Sequence, residues 1–408
     1  MSPAAEMALK QDAMLRELAG KLAVVPNRRR RVLWAICMAV GALTFAFLLF
    51  VEPRRAWGAY AVNMLYWLGM AQGAVVLAAS IRLSNGRWGG PIMRIAESLS
   101  AYLPYGYAAV VVMLVAGIWT YLPWIKHVEP RQAPYLNVPF LYIRTLLGLG
   151  LLGWLSRDLV RTSLRADAYR LKPHVAPELR AEYDKLTANW RGDVAEQRWA
   201  RDRLAMRSPQ VVLCFAVVFT LLAWDWILSL TPDYANQIFG WWFFMGSFLN
   251  GIAMTAFLST RLRAGLKLED YITPDQFWSQ YLPVWYANLP DETWWMFLRF
   301  EDPWRPLAFT VFGFVFLLPF LGLMNMYTKK SPFWLALFAL IIMSGMWMER
   351  HILIMPSVNP RTMWVGLPEI GVSIGFLGMF GWAVQGFVSR YPVVKITDLL
   401  EGARGAGH

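Results

Sequence analysis

Six residues carry the chain's candidate chemistry: Arg144, Asp225, Glu349, Arg350, His351 and Glu369. Each is charged or titratable, and each sits within a long apolar stretch or at its mouth. A charged side chain inside a bilayer costs at least ~2.5–3.5 kcal/mol on insertion scales, so it demands a partner or a function. Carboxylates and an imidazole in that setting can relay protons, because burial raises a carboxyl pKa toward a usable range. Asp225, Glu349, His351 and Glu369 are therefore the proton-path candidates. Arg144 and Arg350 read either as members of that path or as structural ion-pair partners. In the structural reading, Arg350 pairs with Asp225 or Glu369 and ties helices together. Neighbours on a helix point ~100° apart, so Glu349 and Arg350 are not expected to face one partner. A lone His makes no metal site, and His351 also reads as a satisfied hydrogen-bonding residue. No residue is assigned a catalytic or metal-binding role.

The elements that must hold these residues are membrane helices. Of 408 residues, 57% are apolar and only 16% are charged, with a mean hydropathy of +0.38. A typical soluble domain has ~25% charged residues. A bilayer span needs ~20 apolar residues in a row, and such runs recur along the chain. This excludes a soluble enzyme, a secreted disulfide scaffold and a disordered chain. Six uncharged stretches are Val32–Val51, Ala56–Ile81, Ser98–Ile125, Tyr234–Thr260, Pro306–Thr328 and Ile370–Ser389. Three more carry the embedded charges: Val138–Ser156, Pro209–Thr231 and Phe333–Val358. All nine are expected to be helical, because backbone polar groups in lipid must be satisfied within the segment. The first is read as a retained span, since about thirty residues precede it and no small-residue cleavage site follows.

A tenth candidate, Trp278–Leu289, has twelve residues. As a helix it rises ~18 Å, against a hydrocarbon core of ~30 Å. Arg28–Arg31 places the N-terminus in the cytoplasm by the positive-inside rule. With Arg144 and Arg350 within helices, ten crossings divide the other 37 of the 39 Lys and Arg into 30 inside and 7 outside, and nine crossings give 28 and 9. Charge thus favours a crossing that its residues are too few to make. Either the segment is thin or re-entrant, or residues are missing between Phe277 and Trp278.

The expected layout is all-α and polytopic, with about ten transmembrane helices. It has a cytoplasmic tail (1–31), helices one to four (32–156), a cytoplasmic helical loop (157–207), helices five to ten (208–389) and a cytoplasmic tail (390–408). The seventh helix is short or incomplete at 277–289. The loop carries twelve basic and eight acidic residues, and from Pro177 it reads as one or two helices. It is either a solvated cap near anionic lipid headgroups or a docking platform. The net charge of +12 follows from topology, so nucleic acid is dropped as a partner. Trp241-Trp242 and Trp294-Trp295 read as interfacial belts.

The chain is expected to hold no redox centre of its own. Its two cysteines, Cys37 and Cys214, cannot supply the four ligands of an iron–sulfur cluster. There is no C-x-x-C-H signature, and of His127, His174, His351 and His408 only His351 lies in an apolar stretch. A weak internal echo links Gln72-Gly73, before Arg82, with Asn250-Gly251, before Arg261. Both stretches run from outside to inside, as a parallel repeat of four-helix units requires.

Four segments bring these features together: AWDWILSLTPDYANQIFGWWFFMGSFLNG (Ala223–Gly251), MERHILIMPSV (Met348–Val358), YANLPDETWW (Tyr286–Trp295) and WVGLPEIGVSIGFLG (Trp364–Gly378). The chain resembles the NrfD/polysulfide-reductase-type membrane subunits in the form found in alternative complex III. The likeness covers nearly the whole chain and is greatest to the second NrfD-like subunit of that complex. It implies ten helices, eight of them in two four-helix bundles with the rest peripheral, in a bacterial inner-membrane complex. That complex oxidises quinol and passes electrons to a cytochrome c or directly to an oxidase. The implied partners are a multihaem cytochrome c, an iron–sulfur subunit, another NrfD-like subunit and lipids, with the redox groups held by those other subunits. The resemblance leaves open a bound quinone or menaquinone. The family has a longer apolar segment where this chain passes from Phe277 to Trp278, which puts the seventh helix in doubt. The expected function is a non-redox subunit that contributes to proton translocation. The alternatives are a quinol-binding subunit of the same complex, a secondary ion or metabolite transporter, and a structural anchor.

Overall fold

A computed structural model of the protein describes residues 3–22, 27–84, 86, 89–231, 239–266, 302–393 and 396. Every regular element among them is helical. Nine of the described helices are long and apolar enough to cross a membrane. The protein is an all-α, multi-pass membrane protein, and these nine helices coincide with the nine apolar stretches of the sequence. The segment Trp278–Leu289 and the Phe277–Trp278 junction lie outside the described residues.

Helix α1 (Pro3–Gly20) precedes the first span, α2 (Arg28–Val51). The Asn27 side chain caps α2 by accepting from Arg29 N. Only Glu52 separates α2 from α3 (Pro53–Leu83). Pro53 cannot donate within α2 but suits the first turn of α3, so the chain reverses there. Helix α4 (Ile92–Tyr121) contains a π-helical turn at Met113–Gly117. Then come α5 (Val138–Leu171), α6 (Pro177–Leu186) and α7 (Asp193–Trp226). The last four are α8 (Phe239–Leu266), α9 (Arg305–Leu323), α10 (Pro332–Val358) and α11 (Leu367–Arg390).

The charged region 157–207 is organised differently from the expected separate loop helices. Its first part continues α5 without a break as far as Leu171, and its last part is already α7 from Asp193. Only α6 stands between them. Ion pairs between the two extensions hold them together. Asp158 accepts from Arg203 (2.8 Å) and Arg207 (2.7 Å), and Glu196 accepts from Arg165 (2.7 Å). Helix from Pro177 on was expected, and α6 and the start of α7 are helical there; residues 157–171, for which no helix was expected, continue α5 and pair with α7.

Helix α3 is the centre of the bundle, with 94% of its most apolar window buried. It crosses α8 backbone to backbone, and the contact is made by the two echo glycines. A Cβ at Gly251 would overlap Ala74 N and stand 2.5 Å from Gly73 C. A Cβ at Gly73 would overlap Ser247 O. Small residues permit this approach between membrane helices. Helix α2 is peripheral and packs on α11 in the same manner, with Gly41 against Gly375 and Thr44 against Gly371.

Contacts fix the directions of the helices. Gly69 and Gly73 of α3 meet Ser247 and Gly251 of α8 in that order, so these two run parallel. Helix α10 is antiparallel to α3, because Asn63 meets Trp347 and Tyr66 meets Met343. Helix α9 is antiparallel to α10, because Val315 meets Gly345 and Gly322 meets Phe338. The end of α8 and the start of α9 therefore lie on opposite faces of the bundle. We call the face where α2 begins the N-terminal face. Single cysteines in a cysteine-free background test this arrangement. Asp302→Cys is expected to react from the same side as Lys126→Cys, and Lys330→Cys from the same side as Arg180→Cys. Labelling of Asp302→Cys together with Arg180→Cys would overturn the assignment.

Candidate functional site

The three acidic candidates near the face opposite the N-terminal one each meet an arginine, but the three pairs differ. Asp225, near the end of α7, is held from both sides. Arg144 of α5 donates from Nε to Oδ2 (2.8 Å) and from Nη2 to Oδ1 (2.7 Å). The Tyr135 hydroxyl donates to Oδ1 (3.0 Å), and Arg144 also donates to the Tyr135 carbonyl (2.9 Å). The guanidinium lies over the Tyr135 and Phe140 rings. Both carboxylate oxygens and all three guanidinium nitrogens are engaged, so this is a closed, bidentate pair.

Glu369 begins α11 and is fully buried. Its Oε2 accepts from Gly366 N (2.9 Å), the capping-box bond for a Glu at the third helical position. Arg55, in the first turn of α3, donates Nε to Oε1 (2.6 Å) and Nη2 to Oε2 (3.1 Å). Glu369 thus caps one helix and clamps it to another. Arg55 was not singled out from sequence. In Pro53-Arg54-Arg55 it reads as a flanking topological charge, and only the fold brings it to a residue 314 positions away.

Glu349 and Arg350 correct the expected geometry. Arg350 meets neither Asp225 nor Glu369 in these pairs. Its Nη1 donates to the adjacent Glu349 Oε2 (2.7 Å). Its Nη2 donates to Ser247 Oγ (3.1 Å) and to the Phe243 carbonyl (3.3 Å), and the guanidinium lies over the Phe243 ring. A third partner is not needed, because the long arginine side chain folds back to its neighbour's carboxylate. Tyr66 of α3 and Asn250 of α8 complete this cluster. The Tyr66 hydroxyl donates to the Met343 carbonyl (3.0 Å) and hydrogen-bonds the Asn250 side chain. Glu349 Oε1 and Asn250 Oδ1 are buried with no hydrogen-bond partner among the described residues.

His351, the next residue along α10, is fully buried with its ring against Trp347. Its Nδ1 lies 3.1 Å from the Trp347 carbonyl. A carbonyl only accepts, so the neutral ring carries its proton on Nδ1 and presents a lone pair at Nε2. That Nε2 is buried and meets no partner among the described residues. The expected satisfied histidine is satisfied on one side only. Trp347 itself donates to Ser373 Oγ (2.8 Å) and Asn63 Oδ1 (3.2 Å), linking α10 to α11 and α3.

A second buried charge cluster lies at the N-terminal face, where sequence reasoning placed no site. Arg94 donates to Glu97 (2.5 Å), Asp167 (2.5 Å) and the Ser163 carbonyl (3.1 Å). Arg82 reaches Glu97 and donates to Ser163 Oγ (2.7 Å). Arg94, Glu97 and Asp167 are essentially inaccessible. They escaped notice because Glu97 and Arg94 precede the uncharged run of α4, and Asp167 falls in the region that reads as loop. Between the two faces, Gln72 donates to Ser156 Oγ (2.9 Å).

No three His, Cys, Asp or Glu side chains come together as a metal site among the described residues. Trp241 and Trp242 are exposed at the start of α8, while Trp294-Trp295 lies outside the described residues. In comparisons with known proteins, no family model and no curated protein sequence matches the chain.

Proposed function

We propose that this chain is a non-redox membrane subunit of a quinol-oxidising respiratory complex and that it contributes to proton translocation. The observation that carries the proposal is the half-open Glu349 carboxylate. One oxygen is tied to Arg350 and the other has no donor among the described residues, deep in a bundle where an unsatisfied polar atom is costly. An oxygen without a donor is the atom a transferred proton would occupy. The polar groups around it come from α3, α8 and α10, and the open Nε2 of His351 is a second buried acceptor on α10. Asp225 and Glu369 are closed pairs, which suits holding helices rather than carrying protons. The resemblance of Ala223–Gly251 and Met348–Val358 to NrfD-type subunits supplies the complex, its haem and iron–sulfur partners and its bacterial inner membrane. On this reading the N-terminal face is cytoplasmic, as Arg28–Arg31 requires.

Two experiments test the proposal. Purification in mild detergent should bring down a multihaem cytochrome c and an iron–sulfur subunit. Recovery of the chain without either would remove the complex from the account. Glu349→Gln should leave quinol oxidation measurable but lower the proton-to-electron ratio in membrane vesicles, because the amide cannot release a proton at neutral pH. An unchanged ratio in that variant would end the proton-relay role.

A further inference from the structure

The exposed faces of α5 and α7 change from apolar to cationic along their length. On α5, Leu147, Leu151 and Trp154 are exposed, Leu147 to 68%. The same alternating spacing of four and three residues continues to Asp158, Arg161 and Arg165, which keeps all six on one helix face. The antiparallel α7 repeats the sequence of surfaces. Val217, Leu213 and Met206 are exposed, and Arg203 and Trp199 follow towards the N-terminal face. The cationic end holds a cavity of about 210 Å³ lined by Asp158, Arg161, Thr162, Arg165, Trp199 and Arg203.

The cavity has a built cationic wall. Arg165 is fixed by Glu196 and by the Leu186 and Ala188 carbonyls, and Arg203 by Asp158. Both guanidinium groups stand against the Trp199 ring. Asp158 is the one carboxylate in the lining and is already shared by Arg203 and Arg207. Arg161 is exposed and forms no ion pair among the described residues. Arg165 is balanced by Glu196, and Arg203 shares Asp158 with Arg207, so Arg161 is the cation of the lining left without a carboxylate among the described residues. Arg207 lies 4.4 Å over Trp154, so an aromatic ring marks the boundary between apolar strip and cavity. From Leu147 to Trp154 the helix rises ~10 Å, and from Trp154 to Arg161 it rises ~10 Å more. That profile follows about two-thirds of a ~15 Å hydrocarbon leaflet and then passes through the headgroup layer.

We infer that this cavity and the apolar strip leading to it bind an anionic phospholipid of the leaflet at the N-terminal face. The phosphate diester would be held by Arg161, Arg165 and Arg203, with acyl chains along the exposed strip of α5 and α7. A soluble phosphate would use the cavity but leave the apolar strip unexplained. The inference does not depend on the respiratory reading.

The test is native mass spectrometry of the detergent-purified, delipidated protein, in its complex if one co-purifies. Dioleoyl phosphatidylglycerol and dioleoyl phosphatidylcholine are added separately, at equal concentration. The protein is expected to retain the glycerol lipid preferentially. Arg161→Gln should lower that retention about fivefold, as loss of one cation near a headgroup implies, and leave the choline lipid unchanged. Arg161→Lys should restore most of it. A tenfold excess of inorganic phosphate should displace little. Equal retention of the two lipids by the wild-type protein overturns the inference, as does undiminished retention by Arg161→Gln. Full displacement by inorganic phosphate would reassign the cavity to a soluble phosphate.

Discussion

Asp225→Asn is expected to cut the accumulated protein several-fold, whereas Glu349→Gln leaves its level close to wild type. The two substitutions remove the same charge at equally buried positions, so the difference must come from what each arginine retains. Arg144 loses one of the two acceptors of Nε and Nη2, together with the opposing charge, when Asp225 goes, because an amide offers one acceptor oxygen and turns its NH2 donors toward the guanidinium. It keeps the Tyr135 carbonyl, the Tyr135 and Phe140 ring faces and one amide oxygen, with an NH2 group set against its remaining donor. Breaking a buried pair in this way leaves an uncompensated charge at ~3–5 kcal/mol, a large share of a total stability of ~5–15 kcal/mol. Arg350 is held differently. Without a Glu349 charge it still donates to Ser247 Oγ and the Phe243 carbonyl, and it keeps the Phe243 ring face. In the Glu349→Gln variant, the new side-chain amide oxygen can still accept the Nη1 bond. Quantitative immunoblotting of membranes, followed by thermal unfolding in detergent, measures both variants. Normal accumulation of Asp225→Asn would show that the Arg144 pair does not hold α5 to α7. Collapse of Glu349→Gln would move Glu349 into the same structural role.

This contrast shows what was legible in the sequence. The nine described spans were, because an apolar run of bilayer length has few other solutions. The embedded charges were also legible, since Asp225 and Glu349 interrupt such runs. Their partners were not. Arg144 and Asp225 are separated by 81 positions and Arg55 and Glu369 by 314, and no local period relates them. Arg350 misled for the opposite reason. Its carboxylate partner is its neighbour in sequence, whereas pairing with Asp225 or Glu369 on another helix was the structural reading. The buried cluster of Arg94, Glu97 and Asp167 was invisible because charge outside an apolar run reads as solvated loop. There the helices continue past their apolar runs and bury it. The amide–glycine echo was the reverse case, a faint sequence signal whose two copies meet at the central crossing.

That crossing carries the second large effect. Gly251→Leu is expected to abolish accumulation, and Gly251→Ala to lower thermal stability measurably. At most packed positions an added carbon meets side chains that can rotate aside. At Gly251 the first carbon already overlaps the backbone nitrogen of Ala74 and stands 2.5 Å from the Gly73 carbonyl carbon. Backbone has no rotamer to change, so α3 and α8 must separate along their shared seam. Overpacking costs typically ~1–3 kcal/mol where side chains can yield, and this contact lies above that range because it cannot. The separation would also carry Asn250 away from Tyr66 and Ser247 away from Arg350, opening the cluster around Glu349. Gly73→Ala should act in the same direction, since its Cβ would overlap Ser247 O from the other side. Gly150→Ala is the control, because a Cβ there meets nothing within 4 Å. Thermal unfolding in detergent should then rank Gly150→Ala with the wild type, Gly73→Ala and Gly251→Ala well below, and Gly251→Leu as unrecoverable. A Gly251→Leu protein that accumulates and unfolds like the wild type would mean that α3 and α8 do not meet at these glycines.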